Sequence, residues 1–231
     1  MLPSAGLPPS AMSYFKAAWL NFIHPVTGLF RKRRGVFMRA QFPDIESMHV
    51  CDLGGSIHFW QKVGIRLPPD QLTILNIDEY VAGAIPGQEV PYKVVVYDGK
   101  HIPFPDGQFD LLVCNSVIEH VPPGERAQLA REMTRVARRI FCQTPAYSFP
   151  VEPHFVMPAL HWLPKSIAYW LVLVSPWRIL ARPNREQIHS YFYGTNLLRK
   201  RELQALFPEG RISEERFLGL AKSYYVVCTP R

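Results

Sequence analysis

The chain has 231 residues, 48% of them hydrophobic, and a formal net charge of +7. This length suits a single domain with a substantial core, and the hydrophobic fraction excludes an intrinsically disordered chain. The four cysteines include no close-spaced pair, which excludes zinc knuckles and redox CxxC motifs. Isolated cysteines in apolar runs fit a reducing compartment, so a cytoplasmic location is expected.

Basic residues are concentrated in three short runs, at 31–34, 138–139 and 199–201. Such runs are either a solvated surface or a means of attracting phosphate groups in a membrane, a nucleic acid or an anionic substrate. Because the chain has no basic motif interleaved with aromatic residues, nucleic acid is the less expected partner.

Residues 1–45 are predicted to form an N-terminal extension with a helix over Met12–Ile23, and residues 46–231 are predicted to form the main domain. The apolar stretch AAWLNFI lacks a basic region before it and a small-residue cleavage site after it, so no signal peptide is expected. The longest apolar run, 167–180, is interrupted by Ser175-Pro176 and Arg178. It is also shorter than the roughly 20 residues that a membrane-spanning helix needs.

Five short apolar runs alternate with more polar segments and predict strands at 48–53, 72–77, 92–97, 110–115 and 139–144. Continuous apolar strands of this kind are typical of a parallel sheet that is covered on both faces. The segment 124–139 is the clearest helix, with Ala130, Met133 and Val136 on one face.

Residues 146–190 are rich in proline and aromatic side chains and predict a helical or irregular cap over one end of the sheet. The tail predicts a helix near 197–207 and two strands, the last of them antiparallel and near 221–228. The predicted fold is α/β and doubly wound, with a mostly parallel sheet.

Polar and small residues follow each predicted strand, and in an open α/β sheet ligands bind beyond these strand ends. A carboxylate after the second strand can accept hydrogen bonds from both hydroxyls of a ribose, and adjacent glycines let the backbone approach a ligand closely. The chain has neither a GxGxxG nor a Walker motif, which favours a nucleoside cofactor without a pyrophosphate. The pocket predicted at these strand ends consists of Asp52, Gly54, Gly55, Ser56, Asp78, Glu79, Asp98, Gly99, Asn115, Ser116, Glu119, His120, Thr144 and Pro145.

Four stretches carry a family resemblance: VCDLGGS, LNID, VVVYDGKHIPFPDGQFDLLVCNSVIEHV and RIFCQTPAYSFPVEPHF. Together they resemble class I S-adenosylmethionine-dependent methyltransferases of the bacterial type-11 kind, over roughly 48–228. The resemblance implies a Rossmann-like sheet of seven strands, S-adenosylmethionine as the cofactor and S-adenosylhomocysteine as its product. The glycine turn, DLGGSIHF, departs from the usual D-x-G-x-G-x-G because it lacks the third glycine.

The resemblance also implies roles for the strand-end residues. Asp52 and Gly54 would lie under the methionine moiety, with Gly55 and Ser56 shaping the turn. Asp78, next to Glu79, would hold the ribose.

Two further strand ends complete the implied cofactor site. Asp98 would accept a hydrogen bond from the adenine amino group, with Gly99 alongside. Asn115 and Ser116 would close the side near the donor sulfur.

Three residues are candidates for the chemistry of methyl transfer, which positioning accelerates and which a base assists when the nucleophile is a hydroxyl. His120 follows the fourth strand, and His154 and Glu152 lie in the proline-stiffened stretch FPVEPHF. Two prolines make that stretch extended, so we expect His154 to face the transferred methyl group. The alternative for each of the three is a structural role.

The group Glu119, His120, Glu152 and His154 also has the composition of a metal site. Some methyltransferases carry a Glu-x-x-Glu-His metal motif at this position, and this chain has Ser116 in place of its first acid. The sequence therefore predicts no metal.

The aromatic cap favours a small, partly apolar acceptor or a lipid- or glycan-linked one, and its aromatic and basic side chains are compatible with an anionic membrane surface. The expected activity is methyl transfer to an oxygen atom by a cytoplasmic enzyme. The aromatic side chains of the cap either pack as a core of their own or form a lid or interfacial segment, and the second reading adds peripheral association with a membrane. Two alternatives stay open: a catalytically inactive binding protein with this fold, and an RNA methyltransferase.

Overall fold

The computed structural model describes residues 28–77 and 92–229. The helix predicted over Met12–Ile23 therefore lies outside the described residues, as do Asp78 and Glu79.

Seven strands form one sheet, and two short strands form a separate hairpin in the cap. In chain order the strands are β1 Val50–Leu53, β2 Leu72–Asn76, β3 Lys93–Val96, β4 Phe109–Asn115, β5 Ala137–Pro145, β6 Val151–Glu152, β7 Met157–Pro158, β8 Arg211–Phe217 and β9 Leu220–Cys228. The order across the sheet is β3-β2-β1-β4-β5-β9-β8. Strands β1 to β5 are parallel, whereas β9 runs antiparallel to β5 and β8 antiparallel to β9.

This topology confirms the predicted doubly wound, mostly parallel sheet with an antiparallel last strand. The chain builds outward from β1 to β3 and then returns to place β4 on the other side of β1. The strand order reverses between β1 and β4, and the crevice at such a switch point is where α/β sheets bind ligands.

The described helices are α1 28–41, α2 Ile57–Val63, α3 Arg126–Val136, α4 Lys165–Val172, α5 Pro176–Ala181, α6 Arg185–Gly194 and α7 Lys200–Leu206. The sequence predicted a helix over 124–139, but α3 ends at Val136. The reason is that the backbone of Ala137 is already extended and pairs with Phe109 of β4, so β5 follows the helix without a loop.

Both faces of the sheet are covered, as a doubly wound fold requires. Leu112 points to one face, where Met133 of α3 and Leu203 of α7 pack. Its neighbour Leu111 points to the other face and packs in a cluster with Trp60 of α2. Met38 of α1 belongs to that second cluster, so the helix 28–41 is part of the main core.

The segment 146–190 contains the β6–β7 hairpin, α4, α5 and the first residues of α6. Its apolar side chains, among them Phe155, Val172 and Ile188, form a small core of their own together with Phe192, which follows the segment in α6. No helix within the described ranges is long and apolar enough to cross a membrane.

Candidate active site

Asp52, at the end of β1, is fully buried and only partly satisfied by hydrogen bonds. The indole Nε1 of Trp60 donates to its Oδ2 at 2.9 Å. Its other oxygen, Oδ1, is buried and has no hydrogen-bond partner within the described residues. Burial raises the pKa of the Asp52 carboxyl to about 7, against a smaller lowering by the Trp60 hydrogen bond. An unpaired oxygen of this kind favours a ligand that brings a donor.

The glycine pair folds the backbone tightly around this carboxyl. A Cβ at Gly55 would lie 1.9 Å from Asp52 Oδ2, and a Cβ at Gly54 would lie 2.4 Å from a methyl group of Val117. Gly54 also has φ +67°, a region that side chains disfavour. The turn is held by Asn76, whose Nδ2 donates to the Gly55 carbonyl at 3.0 Å.

A cavity of about 210 Å³ opens at this turn. Its lining residues are Arg31, Asp52, Gly54, Gly55, Ser56, Phe59, Lys62 and Asn115. The wall combines a carboxylate with two cationic side chains, Arg31 and Lys62. This donor set fits a zwitterionic amino-acid group, because the ammonium can bond to Asp52 while the carboxylate faces the cations.

The end of β4 forms another wall of the cleft. Arg34 of α1 donates to Asn115 Oδ1, and Asn115 lines the cavity. Ser116 has φ +56°, and its hydroxyl donates to Gln143 Oε1 at 2.9 Å. The structure therefore places Asn115 at the cleft and ties Ser116 back to the neighbouring strand β5.

Asp98 and Gly99 lie at the carboxyl edge of the sheet, just beyond β3. The Oδ1 of Asp98 accepts hydrogen bonds from the backbone N–H groups of Lys100 and His101, both at 2.8 Å. These bonds lower the pKa of the Asp98 carboxyl. A Cβ at Gly99 would meet the Ile77 side chain at 3.5 Å, so the ends of β2 and β3 lie side by side.

A second polar group, below the cap, joins His154 to two acids. His154 Nδ1 lies 2.7 Å from Glu152 Oε1, and His154 Nε2 lies 3.8 Å from Glu119 Oε1. The imidazole is only 10% exposed. Burial alone would lower the pKa of His154, but the hydrogen bond with Glu152 and the charges of both acids outweigh it, and the pKa is raised.

Glu119 is fully buried, and its Oε2 accepts a hydrogen bond from the Thr144 hydroxyl at 3.0 Å. Its Oε1 has no hydrogen-bond partner within the described residues and is the atom nearest His154. Burial raises the pKa of the Glu119 carboxyl against the opposing charge of His154. The charge of His154 and the hydrogen bond from Thr144 therefore favour the ionised form of this buried acid.

His120 lies beside this group, with its ring centroid 4.9 Å from that of His154. The Thr195 hydroxyl donates to the Tyr191 carbonyl at 2.8 Å and lies 3.3 Å from His120 Nδ1. Because the single hydroxyl proton is used, Thr195 accepts from His120, which places the imidazole proton on Nδ1. Burial, helped by His154, lowers the pKa of His120 to about 4. At neutral pH, Nε2 of His120 therefore has a free lone pair.

A pocket of about 840 Å³ lies beside His120. Its walls are Ile77, His120, Trp177, Pro183, Glu186, Gln187, Ser190, Tyr191 and Gly194. Ile77 follows β2 directly, so the pocket reaches the strand ends that border the cofactor cleft. Glu152 instead lines a smaller cavity of about 180 Å³ under the cap. Of the three predicted catalytic residues, His120 is the one that faces the large pocket.

Glu119, His120 and His154 bring their ligand atoms within 4.8 Å of one another. A carboxylate and two imidazoles have the composition of a divalent-cation site, so these are the residues that could hold an ion. The same three side chains can also be described without an ion. Glu119 and His154 form an ion pair, and His120 lies beside it as a neutral imidazole.

Sequence reasoning missed several residues of both groups. Arg31 and Arg34 were recognised only as part of a basic run, because nothing local shows that their helix packs against the cleft. Trp60 lies eight residues after Asp52, and this short spacing is a signal that the turn could place the indole on the carboxylate. Tyr191 and Thr195 carry no local motif.

Residues 42–139 match a family model described as a methyltransferase domain. A 93-residue segment is 34% identical to ajmaline N-methyltransferase of Rauvolfia serpentina, and it spans 38% of this chain and 30% of that relative. Residues 42–139 are thus similar to a methyltransferase domain, and this match covers less than half of the chain. The sheet order and the switch-point cleft agree with the fold of class I S-adenosylmethionine-dependent methyltransferases.

Solved structures agree on the fold. A chain from the complex of the Trm112 methyltransferase activator of Haloferax volcanii aligns with a TM-score of 0.52 at 12% identity, covering 96% of this chain and 98% of that one. Human N-acetylserotonin methyltransferase, solved with S-adenosylmethionine, aligns with a TM-score of 0.50 at 14% identity, covering 98% of this chain and 61% of that one. At these identities the likeness shows the fold alone.

Proposed function

We propose that the protein transfers a methyl group from S-adenosylmethionine to a hydroxyl oxygen of a small or amphiphilic acceptor, with His120 as the base. The observation that carries this proposal is the position of His120. It is a neutral imidazole with a free Nε2, and it lies in the wall of a large pocket that reaches the end of β2.

Cofactor binding is supported by the donor set around Asp52. The unpaired Oδ1 suits the ammonium of the methionine moiety, and Arg31 and Lys62 suit its carboxylate. Asp98 remains our candidate for the adenine amino group and Asp78 for the ribose. When bound, the cofactor supplies an electrophilic methyl group on a sulfonium and leaves as S-adenosylhomocysteine.

His120 would act by holding the acceptor hydroxyl and taking its proton on Nε2 as the oxygen attacks the methyl carbon. The bond from Nδ1–H to Thr195 keeps the ring in the required tautomer and orientation. Glu152, whose charge raises the pKa of His120, stabilises the imidazolium that forms. His154 would contribute by holding Glu119 and Glu152 in place around this ring.

The walls of the pocket support a partly apolar acceptor. Ile77, Trp177 and Tyr191 offer apolar surface, whereas Gln187 and Ser190 offer hydrogen bonds to a polar group. A small amphiphile, or a lipid- or glycan-linked intermediate, combines both features.

Two measurements test the proposal. Calorimetry with S-adenosylhomocysteine should show binding, and its absence at millimolar ligand would reject the cofactor assignment. Labelled methyl from S-adenosylmethionine should then appear in small molecules or extractable lipids of a cell extract. Label found only in protein or RNA would overturn the acceptor class, and cofactor binding without transfer to any fraction would indicate a binding protein.

A further inference from the structure

The hairpin between β8 and β9 ends in an apolar tip, formed by Phe217, Leu218, Gly219 and Leu220. Leu218 is 85% exposed and Leu220 is 50% exposed. Phe217 pairs with Leu220, so Leu218 and Gly219 form a two-residue turn in which both have positive φ, +50° and +81°. Asparagine followed by glycine suits such a turn best, and leucine adopts this conformation rarely. An exposed leucine at this position is therefore explained neither by the turn nor by the core.

The tip lies on the same edge of the sheet as the candidate active site. Ser223 of β9 pairs with Pro145, the last residue of β5, so Leu220 lies beyond the carboxyl end of β5. The ring of Phe217 packs edge-on against Phe30 of α1, with centroids 5.6 Å apart. The start of α1 is thereby placed beside the tip.

Cationic side chains lie around Phe30, the residue of α1 that packs against this apolar tip. Lys222 Nζ lies 4.0 Å from the ring centroid of Phe30, and the Arg33 guanidinium lies 5.9 Å from it. Lys222 is neutralised by Glu215 at 3.1 Å. The ion pairs found among the described residues include neither Lys32 nor Arg33, whose side chains are exposed. The result is a protruding apolar tip with uncompensated positive charge next to it.

We propose that this hairpin tip inserts into the interface of an anionic phospholipid bilayer, with Lys32 and Arg33 over the lipid headgroups. Exposed leucines beside lysine and arginine are the combination that interfacial segments use. A second copy of the chain is the less suitable occupant, because two copies would bring Lys32 and Arg33 of each close to those of the other. The docked orientation turns the carboxyl edge of the sheet toward the bilayer. If the proposed function is right, an amphiphilic acceptor could then enter from the membrane.

The experiment measures sedimentation of the full chain with vesicles, without cofactor. Vesicles of phosphatidylcholine with about 30% phosphatidylserine should bind the wild type, and pure phosphatidylcholine vesicles should not. Leu218→Asn should lower the partition constant about tenfold, because one exposed leucine no longer enters the interface. The same change keeps the turn, since asparagine suits positive φ, and the melting temperature should stay equal or rise.

Val96→Asn is the matched control. Val96 is also exposed, at 47%, and lies in β3, at the opposite edge of the sheet from β8, so its replacement should leave vesicle binding unchanged. Replacing Lys32 and Arg33 together by glutamine should lower binding to the anionic vesicles about tenfold or more. Equal binding by Leu218→Asn and the wild type would overturn the proposal. So would equal binding to both vesicle types, or a dimer that Leu218→Asn dissociates.

Binding of S-adenosylhomocysteine by Leu218→Asn should match the wild type, since none of the proposed cofactor contacts lies in the hairpin. Loss of vesicle binding with retained cofactor binding therefore separates failure of this proposal from failure of the proposed function.

Discussion

Two buried acids at the carboxyl edge of the sheet, Asp52 and Glu119, are held in different ways. Both are fully buried, and burial raises the pKa of each carboxyl. The unpaired oxygen of Glu119 faces His154 at 3.8 Å, so its charge has a partner inside the fold. The unpaired oxygen of Asp52 has no hydrogen-bond partner within the described residues. We infer that Glu119 serves the architecture and that Asp52 receives its missing hydrogen bond from a ligand.

The largest expected effect is a loss of turnover on replacing His120. This residue lies beside the Glu119–His154 pair but faces the pocket. His120→Ala should lower turnover on the true acceptor by about 10²–10⁴-fold, the usual range for loss of a general base. Affinity for S-adenosylhomocysteine should stay unchanged, because the cofactor cleft is elsewhere. The two quantities are read from methyl-transfer kinetics and calorimetry.

The sequence-based hypothesis that His154 is the base gives the reverse result. In that case His154→Ala would lose turnover while His120→Ala kept it.

Removing His154 should instead act mainly on stability. His154→Ala leaves Glu119 and Glu152 buried without their shared partner, and we expect the free energy of unfolding to fall by about 3 kcal/mol. Urea denaturation followed by circular dichroism measures this. His161→Ala is the control, since His161 makes one hydrogen bond to the Tyr147 carbonyl and should cost about 1 kcal/mol. Equal losses in the two variants would contradict the ion-pair description.

The Asp52 region could be predicted from the sequence because its parts are adjacent in the chain. A strand-ending acid followed by two glycines indicates a tight ligand-binding turn, and the structure has a tight turn at this position. The His120 region could be predicted only in part. His120 and Thr195 are 75 positions apart, and their contact depends on where the cap returns to the sheet.

The helix 28–41 was not predicted because a buried cation interrupts its apolar stripe. Arg34 lies between Phe30 and Met38 at helical spacing and is buried against Glu215, with side chains 8% and 5% exposed. A periodicity search treats that position as solvent-facing. An arginine whose acid partner lies in β8 can be recognised only after the sheet is assembled.

Asp52→Asn tests directly whether a ligand bonds to the Asp52 carboxylate. The variant keeps the shape of the side chain and removes the charge that would bond to the ammonium of the methionine moiety. We expect the Kd for S-adenosylhomocysteine to rise about 100-fold, since charged hydrogen bonds of this kind are strong in a buried site. Trp60→Phe keeps the carboxylate and serves as the comparison. An unchanged Kd for Asp52→Asn would place the ammonium elsewhere.

The smallest expected effect is a pH dependence of cofactor affinity, which should come from Asp52. Burial raises the pKa of Asp52 to about 7 in the free protein, and the ammonium binds the ionised carboxylate. Below that value the carboxyl is protonated and must lose its proton when the cofactor binds, so the affinity should fall by about tenfold per pH unit. Calorimetry between pH 5 and pH 8 should show this slope in the wild type and a flat profile in Asp52→Asn. A slope that persists in Asp52→Asn would assign the titration to another group. A flat wild-type profile would mean that Asp52 stays ionised in the free protein. Its charge would then have a partner inside the fold, as the charge of Glu119 does.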